Sequence, residues 1–114
     1  MPRAATTTDV FNAIAEPRRR EIIDILFDGH PRAVGEIMTS LGLPQPAVSK
    51  HLSVLRQVGI VSVTKHGQMR LYRLQPAELK PLADWVKKYE RFWTHQLSRI
   101  KERAESKTAN DKEK

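Results

Sequence analysis

Gly42-Leu43-Pro44-Gln45-Pro46-Ala47-Val48-Ser49-Lys50-His51-Leu52-Ser53-Val54-Leu55-Arg56-Gln57-Val58-Gly59-Ile60-Val61 is the stretch whose reading decides how this chain folds. It opens on Gly42-Leu43-Pro44-Gln45, a short Gly-containing turn of the kind that joins the two helices of a helix-turn-helix. Pro46 suits the first position of the following helix, where its missing N–H costs nothing and its φ is already helical. Val48, Leu52 and Leu55 then recur at i, i+4 and i+7, the spacing of an apolar stripe turned inward, and Gly59 closes the segment. With that stripe in the core, Pro46, Lys50, Ser53 and Gln57 point outward, and Ala47 and Ser49 lie at the edges. Beyond Gly59 the period changes to two: Val61 and Val63 alternate with Ser62 and Thr64. Lys65-His66-Gly67-Gln68 turns, and Met69 to Leu74 runs back. This is the pattern of a short β-hairpin, with Gly67 supplying the positive φ of a tight turn.

Working upstream, Val34, Ile37, Met38 and Leu41 give the i, i+3, i+4, i+7 pattern of a third helix ended by Gly42. Glu16-Pro17 starts a second helix, with a carboxylate at the positive end of the helix dipole. That helix directs Ile22, Ile23, Leu26 and Phe27 inward and stops at Asp28-Gly29-His30-Pro31. A short first helix spans Asp9 to about Ala15, with Val10, Phe11 and Ile14 on one side. Downstream, Pro76 ends the hairpin, and from near Pro81 one long helix is expected to about Arg103. Its apolar positions, Leu82, Val86, Tyr89, Trp93, Leu97 and Ile100, flanked by Trp85 and Phe92, cover an arc of roughly 140°. The expected fold is mainly α with a small β-hairpin, in the order α-α-α-α-β-β-α: a winged helix-turn-helix. Residues 1–8 and the charged run 104–114 carry no apolar pattern and are expected to be disordered tails around one domain, 9–103.

The chain has 114 residues, a hydrophobic fraction of 39%, and 20 Lys plus Arg against 13 Asp plus Glu, for a formal net charge of +7. So short a chain buries a modest share of its surface, and association helps it. It holds no cysteine, which rules out disulfides, thiolate redox sensing and Cys-ligated metals and fits a reducing cytoplasm. No run approaches the roughly 20 apolar residues of a membrane span, and Met1 to Asp9 contains no apolar signal core. A soluble cytoplasmic protein is expected.

The charge is unevenly placed. Between Glu36 and Glu78 there is no acidic residue, while Lys50, Arg56, Lys65, Arg70 and Arg73 fall in the same stretch with His51 and His66. A surface cleared of acids avoids repulsion by phosphates, and each cation that meets a phosphate releases a counterion. Double-stranded DNA is therefore the expected partner. Recognition helices present their N-terminal residues to base edges. Gln45 is suited to adenine, Ser49 to several bases, Ala47 to a thymine methyl and Lys50 to guanine or phosphate, with Ser53 next along the outward face. Lys65, His66, Gln68 and Arg70 at the hairpin tip are placed for phosphate or minor-groove contact. Contacts of this kind separate right from wrong bases by ~1–3 kcal/mol each, so a two-fold dimer that doubles them is the physical route to useful specificity.

The run Pro46-Ala47-Val48-Ser49-Lys50-His51-Leu52, continuing Val54-Leu55-Arg56 and Val58-Gly59-Ile60-Val61, resembles the ArsR family of transcriptional repressors. Glu16-Pro17-Arg18-Arg19 upstream and Gly67, Leu71-Tyr72-Arg73-Leu74 and Pro81-Leu82-Ala83-Asp84-Trp85 downstream support it. Tyr89 and Phe92-Trp93 point to the metal-independent, SdpR-like branch. The resemblance covers about residues 9–100. It implies a homodimer built from the first and last helices, an imperfectly palindromic operator, and often repression of the protein's own operon. The long aromatic helix agrees, since Trp85, Tyr89, Phe92, Trp93, Leu97 and Ile100, with Phe11 on the first helix, offer more apolar surface than one small domain covers.

Many members of that family sense metals, and this chain departs from them. Met38-Thr39-Ser40 stands where they carry a Cys pair, and Asp84 is followed at the useful spacings by Val86 and Leu97. His30, His51, His66 and His95 are scattered over four elements, too far apart in sequence to assemble three or four zinc ligands locally. No metal and no cofactor are expected. A small-molecule inducer between the last helices is left open. There is no Gly-rich phosphate loop, no Cys nucleophile and no patterned Ser-His-carboxylate set, so no enzyme is expected. The competing classes are a sequence-specific repressor, a DNA-architectural protein of the same fold, and a protein-interaction module that uses the aromatic helix.

Overall fold

The computed structural model describes the backbone of residues 9–113 and the side-chain surroundings through residue 105. The helices α1 (Val10–Ala15) and α2 (Pro17–Ile25) meet at a corner held by charge. The Asp9 carboxylate caps α1 by accepting from the Asn12 N–H at 2.9 Å. Glu16 ends α1 and caps α2, its two oxygens accepting from the Arg18 N–H at 3.2 and 3.0 Å. The last carbonyls of a helix lack intrahelical donors. In α1, the Arg19 Nε donates to the Ala13 carbonyl, and Arg20 donates to those of Ile14 and Ala15 at 2.7 and 3.2 Å. Two guanidinium groups of the triplet Arg18-Arg19-Arg20 are thus taken up by the carbonyls that end α1.

Next come β1 (Arg32–Ala33), α3 (Val34–Leu41) and α4 (Gln45–Gln57). Gly42 ends α3 in the left-handed conformation at φ 68°, its N–H donating to the Met38 carbonyl at 2.8 Å. Pro44 is the N-cap of α4, so Pro46 occupies the second helical position rather than the first. The Ala47 and Val48 N–H groups both donate to the Pro44 carbonyl. The hairpin strands β2 (Val61–His66) and β3 (Met69–Leu74) pair from Val61 with Leu74 to His66 with Met69. That register leaves a two-residue turn, Gly67-Gln68, in which Gly67 alone has positive φ, at 66°. β1 adds a third antiparallel strand, Arg32 opposite Tyr72 and Ala33 opposite Leu71, for the order β1-β3-β2. Two residues are too short to show a period, so β1 has no signature in the sequence.

The core joins Ala13, Ile22, Leu26, Ile37, Val48, Leu52, Leu55, Ile60, Val61 and Leu74. All three α4 positions expected inward are buried. Phe27, expected inward with them, is 80% exposed. α2 ends at Ile25, and Phe27 sits in the turn beyond it, where the helical rotation that would have carried it to the core no longer applies.

After a 3-10 turn at Pro76–Leu79, the single long helix expected from Pro81 is two helices, α5 (Lys80–Lys87) and α6 (Glu90–Glu113). Lys88 and Tyr89 form the break. There the Tyr89 N–H donates to the Val86 carbonyl and the Phe92 N–H to the Tyr89 carbonyl, each at 2.9 Å, the tightened i→i+3 pattern of 3-10 structure. Neither Gly nor Pro marks the place. Rings bridge it: Trp85 meets Tyr89 edge-on with centroids 5.4 Å apart, and Tyr89 lies 6.4 Å from Phe92. Helix α6 passes the end expected near Arg103, its backbone continuing through Glu113. Ala, Glu and Lys, which dominate that run, have high helix propensity, and Lys101 pairs with Glu105 at i+4. The expected tail 1–8 lies outside the described residues, as does Lys114. Within the described residues, one compact unit ends at Leu82 and a second begins at Ala83.

Candidate nucleic-acid interface

The buried stripe Val48, Leu52, Leu55 fixes the rotation of α4, so Gln45, Ser49, Lys50 and Ser53 are exposed and Ala47 is half-buried at the helix edge. Beside the N-terminal half of α4 the hairpin forms an open cleft of about 410 Å3, lined by Ala33, Val34, Gln45, Ser49, Gln68, Met69, Arg70 and Tyr72. Gln45 and Ser49 from the helix and Gln68 and Arg70 from the hairpin, four of the residues singled out in the sequence, therefore share one concavity. Lys50 and Ser53 lie outside its lining.

Strand register sorts the hairpin into two faces, because alternate side chains point to opposite sides. One face carries the pairs Val61 with Leu74, Val63 with Tyr72 and Lys65 with Arg70. It begins in the core and ends at the tip in two cations directly opposite each other. Like charges so placed destabilise a free hairpin. The other face carries Ser62 with Arg73, Thr64 with Leu71 and His66 with Met69. His66 and Arg73 line a depression of about 420 Å3 there with Pro31, Ser62, Thr64, Leu71 and Gln75, and the Gln75 amide donates to the Ser62 hydroxyl at 2.8 Å. The cations that are contiguous in the sequence thus divide between two surfaces.

His51 stands apart from this set. Its side chain is 19% exposed, and its Nε2 lies 3.9 Å from Oε2 of Glu16. Nothing local in the sequence signals this contact, since the partner comes from the start of α2.

At the far end of α2, the Asp28 carboxylate accepts from the His30 N–H at 2.9 Å and from Arg32 at 2.7 Å. The backbone donor of His30, against some desolvation and helped by the Arg32 and His30 charges, holds the Asp28 carboxyl below its ordinary range. Arg32 also reaches Glu36 at 3.6 Å, and Glu36 accepts from the Ala33 N–H at 3.0 Å. This acid–base chain pins the entry to α3.

Among the described residues no group of three or more His, Asp or Glu is arranged to hold a metal ion. No helix among them is long and apolar enough to cross a membrane.

A three-stranded wing packed beside a helix whose polar face is exposed, with a third helix leading into it through a Gly turn, defines a winged helix-turn-helix DNA-binding domain. Residues 16–63 match the profile of the bacterial regulatory protein, arsR family. The chain is 35% identical over 78 residues to the transcriptional repressor SdpR of Bacillus subtilis, covering 68% of this chain and 86% of that protein. Its fold is similar to that of an ArsR-like transcriptional regulator from Rhodococcus sp. RHA1, with a TM-score of 0.61 at 31% identity over 83% of this chain and 89% of the other. It is also similar to the homodimeric winged helix-turn-helix DNA-binding domain of Mb0332 from Mycobacterium bovis, with a TM-score of 0.58 at 30% identity over 70% and 76% of the two chains. The chain belongs to the ArsR family, and it is a DNA-binding transcriptional regulator rather than an enzyme.

Proposed function

We propose that the protein is a cytoplasmic, metal-independent repressor that binds an imperfectly palindromic operator as a homodimer, its own promoter included. The observation that carries this reading is the cleft between α4 and the wing. There Gln45 and Ser49 face Gln68 and Arg70, beside a cross-strand Lys65–Arg70 pair in a stretch without acids. In this reading Gln45, Ala47, Ser49, Lys50 and Ser53 contact bases, and Lys65, Gln68 and Arg70 hold the backbone on the cleft side. His66 contacts it from the other wing face. A phosphate near Lys65 and Arg70 removes the repulsion between them, so the free energy of the strained tip is recovered on binding.

The dimer reading rests on exposure. Phe11 on α1 and Trp85, Tyr89, Phe92, Trp93, Leu97 and Ile100 on α5 and α6 are all at least 40% exposed in the single chain. Exposed large apolar side chains in such number mark an interface. A second copy is the occupant the reading assigns, as in the homodimeric Mb0332 domain.

The test is a gel-shift titration on the DNA upstream of the protein's own coding sequence, with excess unrelated duplex as competitor. Retention of a specific complex supports the reading, and loss of the complex to competitor at equal affinity refutes it in favour of an architectural role. Ser49→Ala and Lys50→Ala are expected to weaken that complex with the dimer intact. Unchanged specificity in both would remove them from the reading face.

A further inference from the structure

We propose that Glu16 and His51 form a positioning pair that sets the seat of α4 on α2 and so sharpens sequence-specific binding. This rests on the reading of α4 as the DNA-reading helix. It adds a residue pair that touches no base.

His51 occupies the edge of the buried stripe of α4, one residue from Lys50 and two from Ser49 and Ser53, all of which are exposed. Its imidazole is mostly covered and faces a carboxylate that is itself two-thirds covered, 34% exposed. Glu16 is not a loose side chain. Both of its oxygens are held by the Arg18 N–H at the positive end of α2, and its backbone also ends α1. Arg19 and Arg20 lock that corner to the α1 carbonyls. The 3.9 Å separation is too long for a hydrogen bond and short enough for a polar contact between two largely covered side chains.

Among the described residues, the other charged groups on the elements packed against α4 have partners of their own or line other surfaces. On α2, Arg18 pairs with Glu21 at 3.1 Å. Asp24 lines a separate depression with Ile14 and Arg20. On α3, Glu36 is taken by Arg32 and the Ala33 N–H. On β2, Lys65 and His66 are exposed at the wing tip. Glu16 carries a carboxylate that lies 3.9 Å from the ring. The contact ties His51 to a fixed point on α2, which narrows the orientations of α4 and with them those of Ser49, Lys50 and Ser53. A narrower set of orientations favours the matched sequence, whereas phosphate attraction alone favours every sequence equally.

The experiment uses the full chain and two duplexes: one selected from a random pool by the parent protein, and a scrambled duplex of the same composition. At one fixed pH, the ratio of affinities for the selected and the scrambled duplex is expected to fall about fivefold when the pair is broken. Glu16→Gln keeps an oxygen to cap α2 and loses the charge. It is expected to lower the selected-to-scrambled ratio by that factor and leave the scrambled duplex unaffected, as is His51→Gln, with the double variant no worse than either single one. The proposal is overturned if Glu16→Gln keeps the parent's selected-to-scrambled ratio, if both duplexes weaken alike, or if the two losses add. A shift in the urea midpoint with no change in the selected-to-scrambled ratio marks a purely structural contact and also overturns it. Failure to select any duplex overturns instead the reading of α4 itself.

Discussion

Replacing Arg70 by Gln should move DNA affinity and protein stability in opposite directions. In the free protein Arg70 stands directly across the hairpin from Lys65, and cross-strand partners bring their Cβ atoms to about 4.5–5.5 Å. Removing one cation lifts a repulsion worth about 0.2–1 kcal/mol, so the urea midpoint should stay level or rise. On DNA the same change removes a phosphate contact from each half of a dimer. Each such contact contributes about 0.9 to the slope of log K against log salt, so two-fold symmetry makes the variant's slope shallower by about 1.8. From about 50 to about 200 mM salt the parent should then lose about twelvefold more affinity than the variant. Fluorescence anisotropy on a labelled duplex over a salt series, beside urea unfolding of the same samples, measures both quantities. An unchanged slope would show that the cleft does not receive the backbone. A variant that loses affinity and stability together would show that Arg70 supports the fold instead.

Three further outcomes follow from packing and charge. Trp93→Ala should weaken the dimer by about 3–5 kcal/mol, at least a hundredfold in its dissociation constant, as is usual for a buried ring removed from an interface. A sedimentation profile identical to the parent's would place Trp93 elsewhere. Leu52→Ala, at a position 1% exposed under the reading helix, should cost about 2–5 kcal/mol of stability, a large share of the total for a small domain. A midpoint shift below that range would mean the cavity collapses without loss. Asp28→Asn tests the chain of charges at the entry to α3. The Asp28 carboxyl is lowered in the fold from an ordinary value of 3.8. Its contribution is therefore fully present well above that pH and is lost as the pH falls through the lower folded value. The parent should lose urea resistance in that acid window, and the Asn variant should show a flatter profile there. Equal slopes would leave Asp28 without a stabilising role.

The helix-turn-helix was legible because its signals are local. Gly42 adopts the left-handed conformation that a side chain would strain, Val48, Leu52 and Leu55 lie within two turns, and Gly67 closes a two-residue hairpin. Periodicity failed where an element ended or was too short. Phe27 kept a helical spacing after its helix had stopped, and the two residues of β1 carry no period. The break at Lys88-Tyr89 left the apolar repeat of the last segment intact, so no change of pattern marked it. The candidate interface was half legible. Which cations belong to the hairpin could be read directly, but which of them share a face with α4 depends on register.

The amino-acid order by itself determined the helical stripe, the caps, the turn chemistry and the exclusion of acids from residues 37–77, because each follows from neighbours a few positions apart. Only the tertiary structure decided which of those features meet. Arg70 and Gln68 join Gln45 and Ser49 in one cleft while Arg73 and His66 turn away, and His51 finds Glu16 on another helix. The physical reason is that strand register and helix packing bring together groups far apart along the chain, and the free energy of those contacts depends on positions that no local spacing encodes.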